Sequence, residues 1–329
     1  MLNPATNNRR LDAAPPVIAN ALLFSGAAAI IVYATLILPF WLLEPYPWLA
    51  WTLIPAALAT PTSWAVLHEA IHGGLFPNRS ANLRAGRVLS ILFGSPFRLL
   101  RFGHLTHHKL SRTAFDRSEA YDPAKTSWLS ATVYHFGRIF GGLYFAEVVA
   151  SLLALLPRGQ AEKMAIAFFG LPDAVREGEK LPDTGASAVK ALVNGSNLRE
   201  MRIDGIAALG LIALGFAAYG EQWMLFAGYF LARGFLISLL DNAPHYGTPI
   251  SDRTWSYNLG LPGWAGALIL YFNLHRVHHR APYLPWNHLP RAFQASQDRF
   301  DGGYLALVAQ QLRGPVPLAR LRGLEIPKG

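Results

Sequence analysis

Nine of the eleven histidines in this chain fall into four tight sets. Three sets are the short motifs HEAIH at 68–72, HLTHH at 104–108 and HRVHH at 275–279, and the fourth is one histidine in DNAPHYG. Histidines spaced i, i+4 or i, i+3, i+4 on a helix lie on one face, one turn apart, so two or three imidazoles can converge on one cation. The candidate metal ligands are His68, His72, His104, His107, His108, His245, His275, His278 and His279.

The number of these histidines indicates more than one metal ion. A neutral imidazole is a good ligand for iron, copper or zinc. Nine imidazoles exceed what one ion accepts, since even a closed structural zinc site takes about four ligands. We therefore predict two metal ions. No single motif is specific, but the three motifs together are.

A single histidine in such a chain has an ordinary explanation, because amphipathic side chains are common at membrane interfaces. We assign His135, at the edge of an apolar stretch, and His288, in a segment rich in proline, to packing or to the interface. The clustering of the other nine is what favours metal binding over this explanation.

The composition is that of a membrane protein: of 329 residues, 52% are hydrophobic and 15% are charged. Apolar stretches at about 16–43, 47–67, 205–220 and 223–240 predict four transmembrane helices in two hairpins. The first is too long for the core of a cleaved signal peptide, and the next follows after a few residues. The predicted fold is an all-α integral membrane protein forming one domain over residues 1–329.

The distribution of the formal net charge of +9 predicts the orientation in the membrane. The short turns at 44–47 and 220–222 contain no lysine or arginine, whereas the N-terminal tail and the long segments between the hairpins are basic. By the positive-inside rule, those basic segments are cytoplasmic. We therefore predict a cytoplasmic helical cap, residues 73–203 and 241–329, that carries the histidine motifs with the ends of the spans.

Two further apolar stretches, 139–157 and 260–274, do not fit this arrangement as spans. If either one crossed the membrane alone, the histidine sets would lie on opposite faces and could not form one site. We interpret both as helices lying against the bilayer surface.

The three motifs, in this order and spacing, resemble those of the membrane fatty-acid desaturase and hydroxylase superfamily. The segment RAPYLPWNHLP at 280–290 also resembles the proline and tryptophan pattern that follows the last motif in that family. The resemblance covers roughly residues 60–290. It implies a diiron centre held by the nine histidines, reduced by an outside electron donor and oxidised by O2.

The resemblance also implies roles for residues outside the three motifs. His245 matches an extra ligand between the second and third motifs, and a water-holding residue one turn before it is here either Asp241 or Asn242. Metal-bound histidines need an acceptor for the second ring N–H, or an equivalent partner. The candidate acceptors are Glu69, Asp116, Glu119 and Asp122.

Within this family we expect oxidation of an unactivated C–H bond in a lipid chain, with fatty acyl desaturation as the first choice. Hydroxylation or ketolation of an alkane, carotenoid or sphingolipid is the alternative, because the motifs fit these reactions as well. A histidine-rich metal transporter is a remote alternative, since transporters generally place ligands near the bilayer midplane on broken helices.

The partners expected are a lipid or hydrocarbon substrate, the membrane and a separate electron donor of the ferredoxin, rubredoxin or cytochrome type, with no nucleic acid. The chain has no cysteine for an iron–sulfur centre and no HisProGlyGly haem motif. Basic residues beside the motifs either dock an acidic donor or a phosphate head group, or simply follow the positive-inside bias. They are Lys109, Arg112, Arg117, Arg276 and Arg280.

Overall fold

The computed structural model describes residues 13–170 and 189–324, and most of these are helical. The long helices of the membrane part and the histidine region are α1 (Val17–Leu42), α2 (Leu53–Leu58), α3 (Thr60–His72), α4 (Arg79–Phe93) and α5 (Phe97–Leu110). Then come α6 (Trp128–Gly137), α7 (Leu143–Ala150), α8 (Arg158–Gly170), α9 (Gly195–Tyr219) and α10 (Trp223–Asn242). The C-terminal part holds α11 (Gly263–Leu268), α12 (His275–Arg280), α13 (Leu289–Ala295), α14 (Tyr304–Gln310) and α15 (Leu318–Arg322).

The first hairpin consists of α1 and a returning arm built in three pieces. An uncharged apolar run forms α1 because backbone groups in lipid must be satisfied within the helix. Its second half, Tyr33–Leu42, winds as a π-helix around Pro39, which has no N–H to donate. The arm returns as a 3₁₀ segment, Pro47–Thr52, followed by α2 and α3. It delivers the first histidine motif at the end of α3.

The second hairpin consists of α9 and α10, joined by the 3₁₀ turn Gly220–Gln222. Gly220 adopts a positive φ of 52°, which lets the chain reverse between two helices without a side-chain clash. The rings of Tyr219 and Phe226 stack across the turn at 5.4 Å. Both helices are longer than the predicted stretches 205–220 and 223–240, and His245 follows directly after α10.

Three helical runs among the described residues are long and apolar enough to cross a membrane: Val17–Leu42, Trp128–Leu153 and Gly195–Asn242. The last run contains both arms of the second hairpin. The predicted span at 47–67 is not continuous, since Ala59 ends α2 and the chain restarts as α3. The number of spans and the cytoplasmic position of the cap therefore stay predictions.

The two stretches assigned to the membrane surface, 260–274 and 139–157, differ in how much continuous helix they form. Residues 260–274 form only the six-residue helix α11, followed by Leu270 and Tyr271 with positive φ. Residues 139–157 lie largely in the run Trp128–Leu153, which meets the length requirement for a span. This run is interrupted at Arg138–Gly142, where Gly141 has a φ of 127°. Its placement on the bilayer surface stays a prediction.

Two pairs of two-residue parallel strands fasten the cap. Strand β1 (Ala120–Tyr121) pairs with β4 (Val316–Pro317), and β2 (Leu259–Gly260) pairs with β3 (Gly302–Gly303). Buried ion pairs join the same segments, because Arg112 binds Glu119 while Arg276 binds Asp298 and Asp301. The segments that carry the second and third histidine motifs are therefore fixed to the chain around them.

Candidate metal centre

Four segments bring the nine motif histidines together. The first motif ends α3, the second lies in the last two turns of α5, the third forms most of α12, and His245 follows α10. A large hydrophobic cluster holds α1, α3 and α4 against one another beside the site, with Leu67, Ile71 and Leu89 at its centre. The histidines of the three motifs thus project from packed helices.

The nine histidines divide into two groups, and within each group the ligand nitrogens lie within 4.8 Å of one another. The five-histidine group contains His68, His72, His104, His108 and His278. The four-histidine group contains His107, His245, His275 and His279. Between the groups, the rings of His108 and His279 stack with centroids 4.2 Å apart.

Helical geometry explains why each HxxHH motif contributes to both groups. A helix turns about 100° per residue, so positions i and i+4 differ by about 40° and position i+3 deviates by about 60° to the other side. His104 and His108 accordingly join one group while His107 joins the other. The third motif divides in the opposite sense, because His275 and His279 share a group and His278 does not.

The nitrogen positions fit metal coordination. The Nε2 atoms of His72 and His104 are 2.9 Å apart, as are those of His245 and His275. Nitrogen ligands about 2.1 Å from one ion and at right angles to each other are separated by about 3 Å. The buried Nε2 of His68 has no hydrogen-bond partner among the described residues, an arrangement that a metal bond would satisfy.

Eight of the nine histidines are held neutral, the form that binds metal. Burial, aided by neighbouring cationic groups, lowers the pKa of His72 and of His275 to about 3. Burial likewise lowers the pKa of the others; these are His68, His104, His108, His245, His278 and His279. Their lone pairs are therefore available at neutral pH.

His107 is the exception, because a carboxylate contacts its second ring nitrogen. Its Nδ1 lies 2.7 Å from Asp116 Oδ1. Burial acts to lower the pKa of His107, but the charge and hydrogen bond of Asp116 outweigh it and raise the pKa. A proton held at Nδ1 by this carboxylate leaves Nε2 free to face the four-histidine group.

The other predicted acceptors have different partners. Glu69 is buried and accepts a hydrogen bond from the backbone N–H of Trp286, and burial raises its pKa to about 8. Glu119 binds Arg112. Asp122 accepts from the backbone N–H of Ala124 and caps a turn. Within the described residues, none of these three carboxylates hydrogen-bonds to a motif histidine, so only Asp116 is in contact with one.

Asp241 and Asn242 both line the cavity beside the site. Asp241 accepts a hydrogen bond from Trp64 Nε1 at 3.2 Å, and its charge acts on His107. The amide of Asn242 instead donates to Gln311 Oε1 at 2.6 Å. Asp241 is therefore the better placed of the two residues to hold a water molecule near the histidines.

Three of the five basic residues expected to dock a partner are buried. Arg112 and Arg276 form the ion pairs of the cap, and Arg117 donates to the backbone of Arg112. The docking interpretation is wrong for these three, because their charges are taken up inside the protein. Lys109 and Arg280 are exposed.

The two remaining histidines lie outside both groups. His135 is buried, and its Nε2 lies 2.9 Å from the carbonyl oxygen of Gln311. His288 lies 3.1 Å from the carbonyl oxygen of Ala14. These contacts agree with the packing roles predicted for them.

A cavity of about 630 Å³ opens beside the metal centre, and its wall includes His104, His107 and His245. Apolar side chains also line the cavity: Leu99 on α5, Leu143 on α7 and Leu153 in the 3₁₀ segment Ser151–Leu155 that follows α7. The wall also contains Glu147, which the sequence analysis missed. The signal was present, since an acidic residue inside an apolar stretch is a candidate functional residue.

Comparison with known families finds one match. A family described as fatty acid desaturase matches residues 46–310, a range that contains all nine histidines of the two groups. The comparison with curated proteins finds no match.

Proposed function

This chain belongs to the fatty acid desaturase family, and from that membership we propose that it is an O2-dependent diiron oxidoreductase that acts on a lipid chain. Desaturation of a fatty acyl chain is the reaction we favour. The observation that carries the proposal is the division of nine histidines into two groups of metal-binding geometry beside a largely apolar cavity.

The residues present fit two irons, with five histidines to hold one ion and four to hold the other. When bound, such a pair supplies the activation of O2 needed to remove hydrogen from an unactivated carbon. Desaturation removes two hydrogen atoms from adjacent carbons. With O2, two electrons and two protons, it yields the alkene and two water molecules.

The protein's own part is to orient ligands and substrate. Asp116 holds the proton of His107 at Nδ1, which fixes the tautomer and the direction of the ring. Leu99, Leu143 and Leu153 offer an apolar surface along which a hydrocarbon chain can lie beside His104 and His107. A bound chain there excludes water from the reacting carbon.

We place the protein in the membrane by two hairpins, with the metal centre on the cytoplasmic face; in a bacterial cell this would be the inner or plasma membrane. Exposed tryptophans near both hairpin turns support this placement, because tryptophan is enriched at membrane interfaces. They include Trp41 and Trp48 at the first turn and Trp223 at the second. A separate protein delivers the electrons.

Hydroxylation or ketolation of the chain uses the same metal centre and the same cavity. The distinction between these reactions and desaturation depends on how the chain is placed relative to the irons. Metal transport is disfavoured by the burial of the ligands, since His245, His275 and His279 are almost fully enclosed.

The test is a comparison of lipids from a host that carries the gene and one that does not, with O2 and an electron donor supplied. A new double bond at one acyl position supports desaturation, and a hydroxyl or keto product selects the alternative. His278→Ala is the control and should give the lipid profile of the empty host. An unchanged profile with altered cellular metal content would reject the oxidase proposal.

A further inference from the structure

Four carboxylates face the cavity: Asp116, Glu119, Glu147 and Asp241. Three of them have partners within the protein. Asp116 contacts His107 at 2.7 Å, Glu119 contacts Arg112 at 2.7 Å, and Asp241 accepts from Trp64 at 3.2 Å. These three contribute to the metal centre and to its supporting structure.

Glu147 differs, because its carboxylate makes no hydrogen bond or ion pair with any residue that the structure describes. It lies on α7, an otherwise apolar helix of sequence LYFAEVVA. Leu143 and Ala150, four residues before and three after it, line the same cavity. This spacing places all three on one helix face. Glu147 is thus a lone carboxylate in the apolar part of the cavity wall.

Two charged residues act on Glu147 in opposite directions. Asp241 repels it and Arg138 attracts it. The guanidinium of Arg138 donates a hydrogen bond to Tyr134 Oη at 3.3 Å. The carboxyl group of Glu147 is therefore left to bond with a group inside the cavity.

A plain hydrocarbon chain beside this carboxylate would displace its water and offer no hydrogen bond in return, which is unfavourable. A site built to hydrogen-bond a substrate hydroxyl or amine discriminates strongly against the analogue that lacks it. We infer that Glu147 is a specificity-determining residue that binds a hydroxyl or ammonium group of the lipid. The substrate class is then a lipid with a hydrogen-bond donor on its chain or at the chain's end. That this lipid is a substrate, and not only a ligand, rests on the proposed function.

Native mass spectrometry of the purified full chain, released from detergent micelles, tests this by direct binding. The probes are 1-hexadecanol and its methyl ether, 1-methoxyhexadecane, which keeps the oxygen but lacks the O–H donor. Wild-type protein should prefer the alcohol by about tenfold or more, and Glu147→Leu should remove that preference. Hexadecylamine distinguishes an ammonium from a hydroxyl ligand. Tighter binding of the amine than of the alcohol by wild type assigns an ammonium group, and tighter binding of the alcohol assigns a hydroxyl group.

Two further variants complete the test. Glu147→Gln keeps a carbonyl acceptor, so it should retain part of the preference for the alcohol but lose any preference for the amine. Glu221→Leu replaces an exposed glutamate at the turn of the second hairpin and should bind as wild type does. Equal binding of the alcohol and the ether by wild type, or an unchanged preference in Glu147→Leu, would overturn the inference.

The binding measurement needs no turnover, so it separates the two proposals. Selective binding that depends on Glu147, in a protein that oxidises no lipid, would reject the oxidase proposal and leave Glu147 as a binding residue. Oxidation of plain acyl chains with no preference for the alcohol would reject the role of Glu147 alone.

Discussion

His107 and His278 are each the only histidine of their motif in the group to which they belong. His107 is the member of its motif that joins the four-histidine group, and His278 is the member of its motif that joins the five-histidine group. No other histidine of the same motif can therefore take the place of either one as a ligand. Loss of one of these imidazoles removes a ligand and leaves the remaining ones arranged around an incomplete site.

We expect His107→Ala and His278→Ala each to lower product formation at least about a hundredfold, since even partners of ligands are worth about ten- to a hundredfold. Both proteins should still insert into the membrane, because the helices that carry them are unchanged. The measurement is conversion of lipid by membranes that contain equal amounts of each variant. Full activity of either variant would exclude that histidine from the metal centre.

His288→Ala is the matched control, because this histidine is only partly buried and lies outside both groups; activity should stay within about twofold of wild type. His135→Ala should behave differently. His135 is buried and bonded to Gln311, so its loss should reduce thermal stability while activity per folded molecule is retained.

Helix α10 packs closely against α7 at Gly234. A Cβ at this position would lie 2.7 Å from Phe145 Cε2 and 3.0 Å from Tyr144 Cδ1. Tyr144 is held in place, because its backbone N–H donates to Ser238 Oγ at 3.1 Å. A side chain at 234 must therefore push the two helices apart.

Gly234→Leu should cost about 1–3 kcal/mol of stability, the usual penalty for overpacking, and should reduce activity by distorting the cavity. Gly228→Leu on the same helix is the control, because a Cβ there meets nothing within 4 Å. Melting of both variants in detergent, followed by tryptophan fluorescence, makes the comparison. If the two variants have the same melting temperature, the packing of α7 against α10 is not as described.

The assembled site predicts the metal content of the whole protein. Two groups of five and four histidines should hold about two irons per chain in active protein. Metal analysis of protein purified in active form measures this. Zinc competes for such nitrogen sites, so activity has to be measured on the same sample. One metal per chain, or stoichiometric zinc in fully active protein, contradicts the diiron proposal.

The hairpins predict which segments share a side of the membrane. The chain has no cysteine, so single cysteines can be introduced into a clean background. Glu44→Cys and Glu221→Cys, both at exposed hairpin turns, should react with an impermeant thiol reagent from outside the cell. Lys109→Cys, exposed beside the second histidine motif, should react only after the membrane is opened. Labelling of all three from outside would reject the proposed orientation.

The sequence by itself determined the histidine motifs, the helix periodicity that lets their rings converge and the family, and it led to the expectation of more than one metal. These properties depend on short-range spacing, because residues four apart on a helix are neighbours in any fold. It also indicated both hairpin turns, since a run of apolar residues and its interruption are local features.

Only the tertiary structure decided which histidine joins which group, because that depends on how α3, α5 and α12 pack against one another. It also decided that Asp116, rather than Glu69, Glu119 or Asp122, contacts a ligand histidine. All four carboxylates lie near the motifs in sequence, and only their directions in space separate them. The tertiary structure also singled out Glu147, because only the packing of the surrounding residues shows that its carboxyl group has no hydrogen-bond partner among the described residues.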